Sequence, residues 1–177
     1  MHTWIALLRA IGGNCTLPSK TFIEILEALK FEDAKTYIAT GNAVFRSRSA
    51  NRERLARDIQ GGINDARGFA PKVLLLTPDE LDAAIANNPY RKAESEPTSL
   101  HLTFLSDVPA DPDLAKLESL RTGREAFTLK DRVFYVYTPD GAGRSKLFAR
   151  IEKSLGVWGT ARNWRTVCKV RALAGSP

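Results

Sequence analysis

The sequence contains few of the residues that build disulfide frameworks, metal centres and membrane spans. It has two cysteines, Cys15 and Cys168, and two histidines, His2 and His101. Two cysteines do not make a disulfide framework, and no Cys/His group has the spacing of a zinc site. No apolar run approaches the roughly 20 residues that cross a bilayer. We therefore expect no metal and no membrane partner, and the reducing cytoplasm is the expected location.

Signatures of conventional catalysis are also scarce. The chain has no Gly-x-Ser-x-Gly elbow, the motif that exposes a nucleophilic serine. His101 falls in a predicted strand, where a structural histidine is the simpler interpretation. Cys15 lies just ahead of a predicted helix but has no base beside it in the sequence, so a packed thiol is expected there. We expect no cofactor, and a non-enzymatic protein is the preferred hypothesis.

Positive charge is concentrated towards the C-terminus. The net charge of the chain is +6. From Arg144 onward, the last 34 residues hold eight Lys and Arg residues and one acid, Glu152, so this stretch carries +7 and the first 143 residues carry −1. Such an asymmetry raises the local concentration of anions and predicts an anionic partner. A solvated helical face is the alternative interpretation.

The first half predicts a ferredoxin-like order of strands and helices. The expected elements are a strand at residues 4–8, a helix from residue 18, strands at 35–39 and 43–46, a helix at 51–67 and a strand at 73–76. Apolar residues three and four positions apart are typical of helices, and Gly41 between two β-rich runs favours a hairpin. The order β-α-β-β-α-β is that of a split βαβ unit. A helix that begins at Thr77 and a polar stretch at residues 91–97 end this half.

The second half repeats this order less clearly. The expected elements are a strand at residues 100–105, a helix from 111, a hairpin at 126–137, a helix after the glycine-rich loop 141–143 and a last helix from about Ala161. We therefore predict two tandem ferredoxin-like α+β subdomains of the βαββα type, residues 1–90 and 91–177, with mixed or antiparallel sheets and a C-terminal helix. Trp164 is expected to be a buried residue of that helix.

Five segments of the chain resemble those of a known family. They are Ala6–Asn14, Thr36–Phe45, Asn88–Tyr90, Gly143–Leu147 and Thr160–Val170. On these segments the chain resembles the domain of unknown function 1697 family, a group of uncharacterised bacterial proteins. The resemblance implies an α+β, ferredoxin-like fold, and it brings no activity with it. The first loop departs from the family pattern, because Ala10 stands where the family has a glycine and the loop is about two residues shorter.

Two glycine-rich loops are candidate anion sites. Glycines permit positive φ and can turn backbone N–H groups towards an anion at the start of a helix. Plain tight connections with solvated side chains are the alternative. The candidate ligand-binding residues are Gly12, Gly13 and Asn14 in the first loop, and Arg144, Ser145 and Lys146 after the second, where they are expected to form the first turn of a helix.

The predicted C-terminal helix supplies a third candidate site. At 100° per residue, Arg162, Arg165 and Lys169 share one arc of about 60°. Asn163 lies beside them and is expected to hydrogen-bond locally or outward. The connection at residues 156–159 is short, so the cations of the last two helices are expected to form one patch.

Two functions from different classes are compatible with these residues. The first is a binding module for nucleic acid or another polyanion that uses the basic C-terminal region, in keeping with the α+β folds of several RNA-binding modules. The alternative is an enzyme or sensor for a small phosphorylated or carboxylated ligand, bound at the glycine-rich loops. The sequence leaves the ligand and the oligomeric state open.

Overall fold

The computed structural model describes residues 1–175, which divide into two compact units. Unit 1 holds Met1–Ala83 and the chain from Cys168 onward, and unit 2 holds Ala84–Val167. The division falls within two helices, and the subdomain bounds 1–90 and 91–177 stay a prediction. The last two residues of the second predicted subdomain lie outside the described residues. None of the helices within residues 1–175 is long and apolar enough to cross a membrane.

Unit 1 contains the predicted β-α-β-β-α-β order. Its four strands form one antiparallel sheet in the order β2-β3-β1-β4, so β3 separates the two strands that α1 connects, as in a ferredoxin-like fold. A further helix begins after β4. The elements are β1 (His2–Arg9), α1 (Ser19–Ala28), β2 (Glu32–Thr36), β3 (Asn42–Ser47), α2 (Arg52–Arg67), β4 (Lys72–Leu76) and α3 (Pro78–Ala86).

Local signals explain where the helices of unit 1 begin and end. The Asn51 side chain accepts a hydrogen bond from the Arg54 N–H, 2.8 Å long, at the start of α2, and Gly68 ends that helix in the left-handed region. At the start of α3, Thr77 and Glu80 exchange two hydrogen bonds of a capping box, 2.8 and 3.2 Å long. The apolar sides of α1 and α2 pack with alternate residues of the strands in one core.

Unit 2 has the same strand arrangement. Its sheet is antiparallel in the order β6-β7-β5-β8, which repeats the order of unit 1. Both sheets are therefore wholly antiparallel rather than mixed, and the predicted pair of ferredoxin-like α+β folds is confirmed. The elements are β5 (Leu100–Leu105), α4 (Leu114–Leu120), β6 (Ala126–Lys130), β7 (Val133–Tyr137), α5 (Ile151–Leu155), β8 (Gly159–Asn163) and α6 (Trp164–Leu173), with short 3-10 helices at Arg91–Ser95, Ala142–Arg144 and Phe148–Arg150.

The prediction of a helix from Ala161 is wrong for its first residues. Residues 159–163 form β8, the sixth element of unit 2, and α6 begins only at Trp164. β8 pairs with β5 from Leu105↔Gly159 to His101↔Asn163. A Cβ on Gly159 would lie 2.9 Å from the Phe104 carbonyl oxygen, so glycine permits this close pairing. Strand pairing across about 60 residues of sequence prevails here over a helical apolar pattern, because tertiary contacts override local propensity.

The two faces of the unit 2 sheet carry different residues. Residues that lie opposite each other in an antiparallel pair share one face. Val136 and Asn163 therefore share the face of His101, whereas Arg162 shares the opposite face with Leu102. Val136 packs in one core with residues of α4 and α5. The two helices thus cover the His101 face, and Arg162 lies on the other side of the sheet.

Candidate nucleic-acid interface

Four cationic residues lie close together in unit 2, on a stretch of ten residues that we call the basic segment, residues 144–153. They are Arg144, Lys146, Arg150 and Lys153, and the one acid among them is Glu152. The segment runs from the end of one 3-10 helix through a second 3-10 helix into α5. Arg144, Lys146 and Lys153 are exposed and Arg150 is partly buried. Positive charge is therefore displayed along a short, structured piece of chain.

The backbone of the basic segment is held by side chains that point inward. Leu147 and Ile151 are at most 4% exposed and belong to the core of unit 2. The Ser145 hydroxyl oxygen accepts a hydrogen bond of 3.0 Å from the Phe148 N–H. The Ser145 hydroxyl also hydrogen-bonds the buried carboxylate of Glu125. Because buried residues alternate with cationic ones along the segment, the backbone position of each cation is fixed.

Glu125, which holds the Ser145 hydroxyl, is kept ionised by its surroundings. Burial raises the pKa of the Glu125 carboxyl, but hydrogen bonds from Ser145 and Thr122 lower it by more. The pKa of Glu125 therefore lies below its usual value. The Thr122 N–H and hydroxyl donate to the carboxylate over 2.9 and 3.2 Å. An ionised carboxylate accepts stronger hydrogen bonds than a neutral one. Ser145 is therefore a structural residue of the segment.

The cations of the basic segment differ from several arginines elsewhere in the described residues, which form ion pairs with carboxylates. Elsewhere, Arg52 binds Glu80 through two bonds of 2.9 Å, and Arg121 lies 2.7 Å from Glu118. Within residues 1–175, none of the four cations of the segment forms an ion pair. Their charge is thus available to an external anion.

The prediction that Arg144, Ser145 and Lys146 form the first turn of an α-helix is wrong. Arg144 ends a 3-10 helix, Ser145 is extended, and α5 begins only at Ile151. The loop before them does use glycine for its geometry, since Gly141 has a φ of 97°. The segment therefore presents side-chain charge rather than the N–H groups of a helix start.

The residues predicted on one arc of the last helix are separated by the structure. Arg162 lies in β8 and donates from Nη1 to the Thr160 hydroxyl and the Ala161 carbonyl, over 2.7 and 2.8 Å. Burial lowers the pKa of Arg162 to about 10. Asn163 accepts the Thr166 N–H over 2.9 Å and so caps α6. Because Arg162 lies on the opposite side of the sheet from α5, it does not share a patch with the basic segment.

The remaining cations of α6 have different environments. Arg165 and Lys169 are exposed, Arg165 in unit 2 and Lys169 in unit 1. Arg171 binds both carboxylate oxygens of Asp82 within unit 1, with Nη2 2.7 Å from Oδ2. The hydrogen bond from Arg171 lowers the pKa of the Asp82 carboxyl. Arg171 is therefore part of the structure of unit 1 rather than of a binding surface.

The first glycine-rich loop forms a tight turn. Gly12 and Cys15 exchange two backbone hydrogen bonds of 3.0 Å, with Gly13 at a φ of 57° and Asn14 exposed at the tip. α1 begins only at Ser19, so the turn is not at the start of the helix. The loop instead packs beside the β2–β3 hairpin, where the Leu8 N–H donates to the Gly41 carbonyl over 2.8 Å.

A cavity of about 420 Å³ in unit 2 was not expected from the charge pattern. Its lining includes Tyr90, Lys92, Glu96 and Tyr137. The sequence feature nearest to this cavity was the segment Asn88–Tyr90. It resembles a family motif, but the resemblance assigned no function to these residues. The structure brings this segment to the end of β7, far away in the sequence.

His101 lies beneath the basic segment and is a partly buried titratable group. Its ring meets the Phe148 ring edge-on, with centroids 5.1 Å apart. Its Nδ1 has no hydrogen-bond partner within residues 1–175. Burial lowers the pKa of the His101 imidazole, and the nearby Ser99 backbone only partly opposes this. The neutral form is therefore the one that the fold accommodates.

We expect the free energy of unfolding to fall as the pH drops from about 7 to 5. The unfolded chain binds a proton on His101 near pH 6.5, the folded chain only at lower pH, so acid favours the unfolded state. Urea midpoints at several pH values would measure this. His101→Gln should remove much of the dependence in this window, while the exposed control His2→Gln should keep it. Equal pH profiles for the two variants would contradict the assignment.

Comparison with known proteins shows the fold and leaves the activity open. A sequence profile of the family described as "Protein of unknown function (DUF1697)" matches residues 1–135. A solved structure, that of the conserved bacterial protein SP0830 from Streptococcus pneumoniae, superposes with a TM-score of 0.73 at 20% identity and covers 98% of each chain. No functionally curated protein matches the sequence. At this identity the structural likeness shows a shared fold alone.

Proposed function

This chain belongs to the DUF1697 family of proteins of unknown function, and we propose that it is a binding module for nucleic acid or a similar polyanion, acting through the basic segment. The observation that carries the proposal is the display of four cations on a ten-residue segment with buried anchors, where none of the four cations forms an ion pair within residues 1–175. Phosphate contacts by Lys and Arg supply most of the affinity of non-specific nucleic-acid binding.

The charge of the segment is easier to explain with an anion than without one. Like charges that lie near each other repel, and exposed ion pairs offset this by only about 0–1 kcal/mol each. Glu152 is the single acid within the segment. A polyanion neutralises several cations at once and releases its own counter-ions, which favours binding at moderate salt. The segment therefore has the charge of a phosphate-contact surface.

The alternative, an enzyme or sensor for a small phosphorylated or carboxylated ligand at the glycine-rich loops, has less support. The Gly12–Cys15 turn is separate from the start of α1, and the Ser145 hydroxyl is used by Glu125 and Phe148. A cytoplasmic location is part of the proposal, because Cys15 and Cys168 form no disulfide within the described residues.

The proposal is tested by the salt dependence of binding to a labelled oligonucleotide, followed by fluorescence anisotropy. Replacing Arg144, Lys146, Arg150 and Lys153 together by Gln should weaken binding roughly 100- to 1,000-fold near 0.1 M salt and flatten the salt slope by about 2–3. Each phosphate contact contributes about 0.7 to that slope for single strands, and four contacts are removed.

A matched variant removes the same charge elsewhere. Lys35, Arg48, Arg57 and Lys116 are exposed, and none of them forms an ion pair within residues 1–175. Replacing these four by Gln should keep most of the salt slope. Equal slopes for the two quadruple variants would show that the basic segment is not the site, and wild-type affinity that does not change with salt would reject polyanion binding itself.

A further inference from the structure

The cavity at the end of β7 has the size and the groups of a ligand site. Its volume of about 420 Å³ lies within the range of roughly 300–1,000 Å³ typical of small-molecule sites. Tyr90 and Tyr137 contribute aromatic rings to its wall, and Lys92 and Glu96 contribute one charge of each sign. The whole lining belongs to unit 2.

The turn before the first 3-10 helix of unit 2 fixes Tyr90 in this wall. Asn88 is buried, its side-chain oxygen accepts the Tyr90 N–H over 3.0 Å, and its amide donates to Glu94 over 2.9 Å. The Tyr90 hydroxyl lies 2.8 Å from the Thr128 hydroxyl. Because both ends of Tyr90 are held, the ring is presented in one orientation.

Tyr137 is held in a similar way from the other side. Its hydroxyl donates to both carboxylate oxygens of Glu96 over 3.0 Å. Partial burial and the Glu96 carboxylate raise the pKa of the Tyr137 phenol, so it stays protonated and donates. Each carboxylate oxygen can accept more than one hydrogen bond, so Glu96 can still accept from an N–H group of a ligand. The exposed Lys92 forms no ion pair within residues 1–175.

The cavity and the basic segment lie at the same end of the sheet but on opposite faces, because Tyr137 pairs with Leu100 and so shares the face of Leu102 and Arg162. Ser145, which Arg144 and Lys146 flank, hydrogen-bonds Glu125. The next residue, Ala126, pairs directly with Tyr137. Glu125, which hydrogen-bonds the basic segment at Ser145, is therefore the sequence neighbour of the residue that pairs with Tyr137.

We propose that the cavity receives one unpaired base of a single-stranded nucleic acid whose backbone continues around the end of the sheet, with phosphates on Lys92 and on the basic segment. This inference rests on the proposed function and narrows it to single strands. Every base has an aromatic face that can stack on a tyrosine ring, and amino groups of bases donate to carboxylates. A duplex keeps its bases stacked inside the helix, so a duplex can use the cations but not the cavity.

The test compares a labelled single strand of about 12 nucleotides, a length within the site sizes of single-strand binders, with a duplex of the same sequence. Tyr137→Leu should weaken binding of the single strand roughly tenfold through loss of stacking, and leave its salt slope and the duplex affinity unchanged. Tyr137→Phe keeps the ring and should stay within about twofold of wild type. Tyr37→Leu in unit 1 is the matched control and should change neither affinity.

A second variant does not depend on the packing around Tyr137. Glu96 is exposed, so Glu96→Gln should fold normally. It should change the ratio of affinities for an oligo-C and an oligo-T strand by roughly threefold, because a carboxylate only accepts whereas an amide also donates. Circular dichroism melting of each variant reports whether it is folded.

The outcomes separate this inference from the proposed function. Salt-dependent binding that is equal for single strand and duplex, and that neither Tyr137→Leu nor Glu96→Gln alters, would overturn the base site and leave polyanion binding intact. Absence of binding to either nucleic acid by the wild-type protein would overturn both.

Discussion

We expect Trp164→Ala to lower the free energy of unfolding by about 3–5 kcal/mol. Trp164 is 7% exposed, as the sequence predicted, and Val167 and Val170 on the same side of α6 are each 2% exposed. Removal of the indole takes a large apolar area out of the protein interior and leaves a cavity that the neighbours fill only in part. Urea unfolding followed by far-ultraviolet circular dichroism would measure the change without relying on tryptophan fluorescence.

The next residue along the helix is the control for this substitution. Arg165 is exposed, so Arg165→Ala should change the free energy of unfolding by no more than about 0.5 kcal/mol. A similar small effect for Trp164→Ala would show that its ring is dispensable for packing. Because Trp164 is buried, we also expect Trp164→Phe to leave nucleic-acid affinity unchanged.

We expect Gly41→Ala to cost about 2–5 kcal/mol. Gly41 has a φ of +77°, and a Cβ there would lie 2.5 Å from the Leu8 Cβ and 2.9 Å from the Ile11 Cγ1. A side chain in the left-handed region costs about 1–2 kcal/mol, and overpacking adds about 1–3 kcal/mol. Leu8 is only 1% exposed, so it has little room to move away. Thermal or urea unfolding of the variant would give the loss directly.

Gly61→Ala is the matched control, because the same substitution meets open space. Gly61 lies within α2, and a Cβ there has no atom within 4 Å. Alanine is favoured over glycine inside a helix, so this variant should be more stable than wild type by about 0.5–1 kcal/mol. If Gly41→Ala were as well tolerated as Gly61→Ala, the close approach of Gly41 to β1 would be disproved.

Several polar residues of the family-like segments have structural roles. Asn42 is 1% exposed, and its amide donates to the Tyr37 carbonyl and the Thr40 hydroxyl, each over 3.0 Å. Asn88 and Asn163 each accept a backbone N–H at a turn or a helix start. Such bonds satisfy backbone groups that turns leave unpaired. These three asparagines are therefore explained by the fold.

The charge of the C-terminal region can be read from the sequence, whereas the positions of its cations could not be predicted from it. The excess of cations from Arg144 onward is a property of composition and needs no structure. Their grouping is different, because Arg162 was assigned to a helix and belongs to β8, whose pairing turns its side chain to the far side of the sheet. The cavity between Tyr90 and Tyr137 joins residues about 47 positions apart, and no local pattern reports such a contact.

The sequence by itself determined the order of elements in unit 1, the helix starts at Asn51 and Thr77, the hairpin at Gly41 and the burial of Trp164. These features depend on local rules, namely apolar periodicity, capping side chains and the conformational freedom of glycine. Tertiary structure alone decided that residues 159–163 are a strand, that Arg171 binds Asp82, and which cations share a surface. Each of these depends on contacts between residues far apart in the chain, whose free energy exceeds the small local preference that a sequence pattern records.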